Sequence, residues 1–354
     1  INKNKERHVK RNIISFNVAL LITSICFFLY INQMNSQTLK DNMPPAPLFS
    51  DPIFDGAADP TVFWNYQEKN WWMIYTQRRA NSNTSKLAWV HGTAIGVATS
   101  NDGGLNWKYR GTLDLNYEPG HNTFWAPDVL WTGEKYYVFV SYVQGVPSLD
   151  FMDEHKILLF EGTDMWNLSF IRNVDLQSDR VIDPTVILLP DGFYRMWYKN
   201  ENAGYTTHYA DSKNLEKWIL KGQAIDSTKC EGANSFKWKG HYWMITDPWK
   251  GIDLYKSKDA TNWELEGTIL NGIGQRQDDG AKGHHACVVP SGEYAYIFYH
   301  CNPEESYGTT TSWQTIGYRQ RRSVMQVARL RLENGKVVCD RDMPFSLEMK
   351  SSDK

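Results

Sequence analysis

The stretch Val181-Ile182-Asp183-Pro184-Thr185-Val186 decides the fold, because Ala58-Asp59-Pro60-Thr61-Val62 has the same form roughly a third of the chain earlier. In each, an acid and a proline open an apolar, β-prone run. Trp125-Ala126-Pro127-Asp128-Val129 swaps the order of acid and proline, and Cys230-Glu231-Gly232-Ala233 puts Glu-Gly in place of the pair. A fifth copy starts at Gly283-His284-His285-Ala286. Recurrence at roughly 50 to 65 residues marks a repeat architecture. Carboxylates at the starts of successive strands point to a shared site.

Each copy is followed by short apolar runs separated by turns. In the first unit the strands are expected at 61–65, 71–76, 93–100 and 107–111, with a Ser-Asn-Asp-Gly-Gly turn between the third and fourth. Glycines take positive φ there at little cost. The same four-strand scheme recurs over 129–174, 185–220, 233–267 and 286–339. Four short antiparallel strands make one propeller blade, so five units predict an all-β, five-bladed β-propeller. After each third strand a polar residue precedes a tryptophan: Asp102 and Trp107, Asp164 and Trp166, Asn214 and Trp218, Asp259 and Trp263. The polar side chain is expected to satisfy the turn, and the tryptophan to pack the outer strand on the next blade.

In a propeller the first strand lines the axis and the second returns beside it, so the start of one and the end of the other share a face. That face gathers Asp59, Asp128, Asp183, Glu231, His284 and His285 with Arg78, Arg79, Lys199, Glu201, Trp249 and His300. The long connections 77–92, 143–155 and 301–323 leave from it. A funnel with acids at its floor results. Carboxylates crowded in such a place cannot all ionise cheaply, so their pKa values separate and supply an acid and a base at one pH. Glycoside hydrolysis requires that pairing. Arg78, Arg79 and His91 at the mouth are candidates for an anionic group, and Trp125 and Trp249 for stacking on sugar rings.

Lys3, Lys5, Arg7, Lys10 and Arg11 stand before an apolar run from Ile13 to Ile31. This reads as a signal peptide or membrane anchor over 1–36, with the remainder exported to the periplasm, the exterior or the outer side of a membrane. A Pro-rich linker over 37–50 leads to a propeller over 51–345. The net charge of −2, offset partly by that basic start, gives no reason to expect a nucleic-acid partner. Any membrane contact would run through the N-terminal segment. Fifteen tryptophans and nineteen tyrosines suit either sugar platforms or packing between twisted sheets. Cys230, Cys287, Cys301 and Cys339 match no compact disulfide or zinc spacing.

Asp59-Pro, Asp183-Pro and Glu231-Gly, in that order and spacing, resemble the catalytic triad of the five-bladed propeller glycosidases, family 43 and its relatives in families 32, 62 and 117. The resemblance covers roughly residues 50 to 340. It implies Asp59 as the general base that activates water, Glu231 as the general acid, and Asp183 as the group that places the acid and raises its pKa. It also implies inversion, although the family 32 equivalent of Asp59 is a nucleophile. Gly283-His284-His285 is similar to the fifth-blade histidine of family 43 that faces a metal or water. No cofactor is required; a calcium ion on the axis, near His284, is the metal the resemblance suggests. Trp89 to Thr93 and Gln77-Arg78-Arg79 depart from the family 43 pattern toward the algal-polysaccharide enzymes of family 117.

The expected function is therefore an exo-acting, inverting glycosidase on a plant or algal polysaccharide or oligosaccharide. Asp128, Arg78, Arg79, His91, Trp125, Trp249 and His285 are the candidate substrate contacts. Two alternatives stand beside it. A glycoside phosphorylase would hold phosphate on Arg78, Arg79 and a histidine, and a non-catalytic propeller would stack sugars on Trp125 and Trp249.

Overall fold

The computed structural model describes residues 42–149, 153–225, 229–304 and 315–351. Pro44–Met343 form one compact unit together with the residues from Glu348 onward; of a second unit, residues 42, 43 and 344–347 are described. The expected N-terminal apolar segment lies outside the described residues. Among those described, no helix is long and apolar enough to cross a membrane.

Among the described residues, twenty strands form five four-stranded antiparallel sheets, each built from strands consecutive in the chain. The chain is a five-bladed β-propeller. The innermost strands are Ala57–Asn65, Thr123–Trp131, Val181–Leu188, Glu231–Trp238 and His284–Ser291. The second strands, Asn70–Gln77, Tyr136–Val143, Tyr194–Asn200, His241–Asp247 and Tyr294–Cys301, are buried along most of their length.

One detail corrects the sequence reading. The innermost strands begin before the acid and proline, and that pair sits inside the strand on a β-bulge. Every innermost strand carries one extra residue at the same place, between Ala58 and Thr61, Trp125 and Asp128, Ile182 and Thr185, Glu231 and Asn234, and His284 and Cys287. The first bulge residue has positive φ in all five blades: Asp59, Ala126, Asp183, Gly232 and His285. Aspartate tolerates that conformation and glycine adopts it freely. The proline that follows in three blades has no N–H to leave unpaired where the ladder opens.

Four apolar cores fill the gaps between consecutive blades. Trp72, Ile74 and Val97 of blade one, for example, meet Tyr136, Val138 and Phe160 of blade two. The equivalent cores join blades two and three, three and four, and four and five. Complete burial of each such side chain contributes about 2–3 kcal/mol. Between blades five and one, Leu48 N–H donates to Met325 O and Met325 N–H to Phe49 O, each at 2.9 Å. A segment ahead of blade one thereby pairs with the third strand of blade five and closes the ring.

The turn residues act as expected. Asp102, Asp164, Asn214 and Asp259 accept hydrogen bonds from N–H groups two to four residues on. The tryptophans, however, pack on the preceding blade. Trp166 lies 4.9 Å from Trp72, Trp218 6.3 Å from Phe139 and Trp263 5.9 Å from Trp197, while Trp107 of blade one lies 6.4 Å from Phe298 of blade five. No disulfide joins the four described cysteines.

Candidate active site

The bulge residues of blades one, three and five, Asp59, Asp183 and His285, line a cavity of about 500 Å³, joined by Glu231, which stands just before the bulge of blade four, and by Arg78, Trp125 and Trp249. The resemblance triad is therefore gathered on one cavity. Val90, His155, Ile182, Lys199, Glu201, Tyr205 and Lys229 complete its wall.

Asp59 is buried and receives Arg78 Nη2 at 3.0 and 3.3 Å on its two oxygens. Burial alone would raise its pKa, but Arg78, then His285 and His300, hold it well below the usual carboxylate range. Those cations favour its ionised form. Asp183 has no arginine beside it. Burial pushes it up to about 6; His285 and Lys199 oppose that rise, while Glu231 and Asp59 add to it. His285 Nδ1 stands 3.5 Å from Asp59 and 4.0 Å from Asp183. Burial disfavours its cation, yet those two carboxylates, Asp59 first, raise its pKa.

Glu231 is held at both oxygens. Trp249 Nε1 donates to Oε1 and Lys199 Nζ to Oε2, each at 3.0 Å. Gly232 N–H, on the next residue, donates to Asp183 Oδ2 at 3.0 Å, so Asp183 fixes the backbone beside Glu231. Trp125 Nε1 donates to Val90 O at 2.6 Å, which sets that ring in the wall.

Four of the sequence candidates lie outside the cavity lining. Arg79 donates to the carbonyls of Ala88 and His91, and His91 is buried with Nδ1 3.0 Å from Leu87 O. Arg78 is thus the one member of that trio on the cavity. Asp128 follows its proline, so its position matches Thr61, Thr185, Asn234 and Cys287, one step past the bulge. It accepts from Val186 N–H at 2.7 Å, and burial pushes it up to about 7. His284 Nδ1 lies 3.0 Å from Asp247, and its ring stacks on His300. Among the described residues no group of three or more His, Cys, Asp or Glu could hold a metal ion. The donors around His284 are rich in nitrogen, which suits calcium poorly.

Sequence reasoning placed Lys199 and Glu201 on the right face without giving them a role, and it missed His155, Tyr205 and Lys229. One signal was present: a lysine interrupts the buried second strand of blade three where the other blades carry Thr76, Ser141, Asp247 and His300.

A five-bladed propeller with Asp59, Asp183 and Glu231 on one cavity has the form of the propeller glycosidases. The chain belongs to the family-43-related glycosyl hydrolases: the model of that family, described as a probable glycosyl hydrolase domain, matches residues 33–290. It is a glycosidase. Among solved structures it is similar to CoXyl43, a family-43 β-xylosidase/α-arabinofuranosidase from a compost microbial metagenome, solved with xylotriose in a calcium-free form. The TM-score is 0.61 at 16% identity, over 86% of this chain and 98% of that one. A GH43_1 enzyme from Xanthomonas citri, complexed with xylotriose, gives 0.59 at 13% over 89% and 98%. A family-43 β1,3-galactosidase solved with galactodeoxynojirimycin gives 0.59 at 15% over 82% and 96%. At these identities the likeness is one of fold. No curated protein matches the chain.

Proposed function

We propose that the cavity hydrolyses glycosidic bonds of a plant or algal oligosaccharide or polysaccharide by single displacement, with inversion and from a chain end. Asp59 removes a proton from the attacking water as that oxygen bonds to the anomeric carbon. Glu231 delivers a proton to the glycosidic oxygen as its bond breaks. Asp183 holds the strand that carries Glu231. The supporting observation is the gathering of the three acids on one cavity, each with its own partners: Asp59 is paired with Arg78 at 3.0 Å, Glu231 accepts from Trp249 Nε1 at 3.0 Å, and Asp183 accepts from Gly232 N–H at 3.0 Å. Two separately held carboxylates in one site are what a base and an acid in glycoside hydrolysis require. No step involves a cofactor or an axial calcium ion. The basic N-terminus and its apolar run support export, which fractionation of cells expressing the full chain would test.

The experiment is hydrolysis of xylotriose and of 4-nitrophenyl β-D-xyloside, α-L-arabinofuranoside and β-D-galactoside, with ¹H NMR of the first-formed anomer. Turnover giving the inverted anomer, and its loss in Asp59→Asn and Glu231→Gln, is expected. Retained configuration would make Asp59 a nucleophile, and full activity in both variants would remove the assignment.

A further inference from the structure

The five blade junctions follow one rule with one exception. At four of them the N–H of the positive-φ bulge residue donates to a side chain on the second strand of the preceding blade. Ala126 N–H donates to Thr76 and Asp183 N–H to Ser141, both at 2.9 Å. His285 N–H donates to Asp247 at 3.0 Å, and Asp59 N–H to His300 at 3.3 Å. At the junction of blades three and four the corresponding side chain is Lys199, a cation with no acceptor. Asp183 takes its place and accepts from Gly232. Lys199 is released from the duty its counterparts perform and turns to Glu231.

It is well anchored there. Its side chain is 5% exposed, with Nζ 3.0 Å from Glu231 Oε2 and 3.2 Å from Glu201 Oε1. Glu201 is fixed in turn by Arg180 at 2.8 Å and His155 at 3.0 Å. The ammonium also lies 5.3 Å from the Tyr205 ring and 5.4 Å from the Trp249 ring. Burial disfavours the charge, but Glu231, Asp183 and Glu201 outweigh it and keep the pKa above that of a free lysine. Lys199 is therefore a fixed cation and no proton donor.

Resting on the assignment of Glu231 as the acid, we propose that Lys199 is a positioning residue that locks Glu231 Oε2 to the Glu201 anchor, leaving Oε1 to face the leaving group. Oε1 is held by Trp249, whose side chain is partly exposed and can yield to an incoming glycosidic oxygen. The charged groups around Glu231 are Lys199, Glu201 and Asp183 from blade three, His285 from blade five, and Asp59 with Arg78 from blade one. Asp247 stands on its own blade and Lys229 just ahead of it. Lys199 is the cation whose contact with the Glu231 oxygens is seen among the described residues.

The test compares a 4-nitrophenyl glycoside from the panel above, which needs little acid assistance, with the unactivated disaccharide of the same sugar. In Lys199→Met, kcat on the disaccharide should fall about 10- to 100-fold, the scale of a misplaced acid, with KM little changed. The nitrophenyl substrate should lose only a few-fold. Loss of the cation should also move the alkaline limb of the pH–rate profile to higher pH. Lys199→Arg should recover most of the disaccharide rate. Glu201→Gln, which frees the other end of Lys199, should discriminate in the same direction by several-fold and serves where Lys199→Met does not fold. Equal losses on both substrates with an unmoved limb, or no loss, would overturn the proposal. Glu231→Gln run alongside separates the two claims: if it fails to discriminate between the substrates, the acid assignment itself is at fault.

Discussion

Blades one and two place an acid within two residues of each other in the repeat, yet the two acids do different work. Asp59 precedes its proline, occupies the positive-φ bulge and faces the cavity beside Arg78. Asp128 follows its proline, lies beyond the bulge and accepts a hydrogen bond from Val186 N–H of blade three. A shift of this kind along a strand changes what a side chain faces. One acid is thereby kept ionised by a guanidinium, and the other is pushed up to about 7 by burial. Position relative to the bulge separates a candidate catalytic acid from a strut between blades.

The largest expected effect is on the cavity side of that contrast. Asp59→Asn or Glu231→Gln should cost about 10²- to 10⁴-fold in kcat on unactivated substrates, whereas Asp128→Asn should stay within a few-fold. Steady-state rates on one oligosaccharide compare all three.

Next comes a stability difference on the strut side. A carboxylate whose folded pKa lies above its unfolded value binds more protons in the native state, so its contribution is present below about pH 4 and lost as pH rises through about 7. Asp128→Asn keeps an oxygen for Val186 N–H and removes that dependence. Its unfolding free energy should match the wild type near pH 4 and exceed it at pH 8, by up to about 4 kcal/mol. Urea titrations at the two pH values read this directly. A difference between Asp128→Asn and the wild type that does not open over that interval would contradict the burial of an ionisable Asp128.

The smallest effect concerns the junction rule. Ser141→Ala leaves the buried Asp183 N–H without its acceptor and should cost about 1–3 kcal/mol in urea denaturation. Because that N–H belongs to Asp183, a modest loss of kcat should accompany it. A matching loss of stability with unchanged kcat would show that Asp183 is positioned by other contacts.

Much of this was legible in the chain. Five copies of the strand start, hairpin turns and polar turn residues specify five blades because those signals are local. That Asp59, Asp183 and Glu231 would meet on one cavity was legible because they stand at matching places in the repeat. The role of Asp128 was harder to read: aligning Ala126-Pro127 on its proline with Asp59-Pro60 and Asp183-Pro184 places it past the bulge, but the acid drew the alignment instead. That each tryptophan packs on the preceding blade depends on how the ring is assembled, which no local pattern encodes. The pairing of Arg78 with Asp59 brings the end of the second strand back to the first, and Lys199 meets Glu231 across a blade junction. Such contacts follow from the closed ring and not from neighbours in sequence.

The most direct test of the central claim, that Asp59 and Glu231 act together in one transition state, is a double-mutant cycle. kcat/KM for an unactivated oligosaccharide is measured in Asp59→Asn, Glu231→Gln and the double variant. Groups that work as a unit show strongly non-additive losses, so the double variant should be close to the worse single. Losses that multiply independently, or a single variant near wild type, would contradict joint action of the two carboxylates.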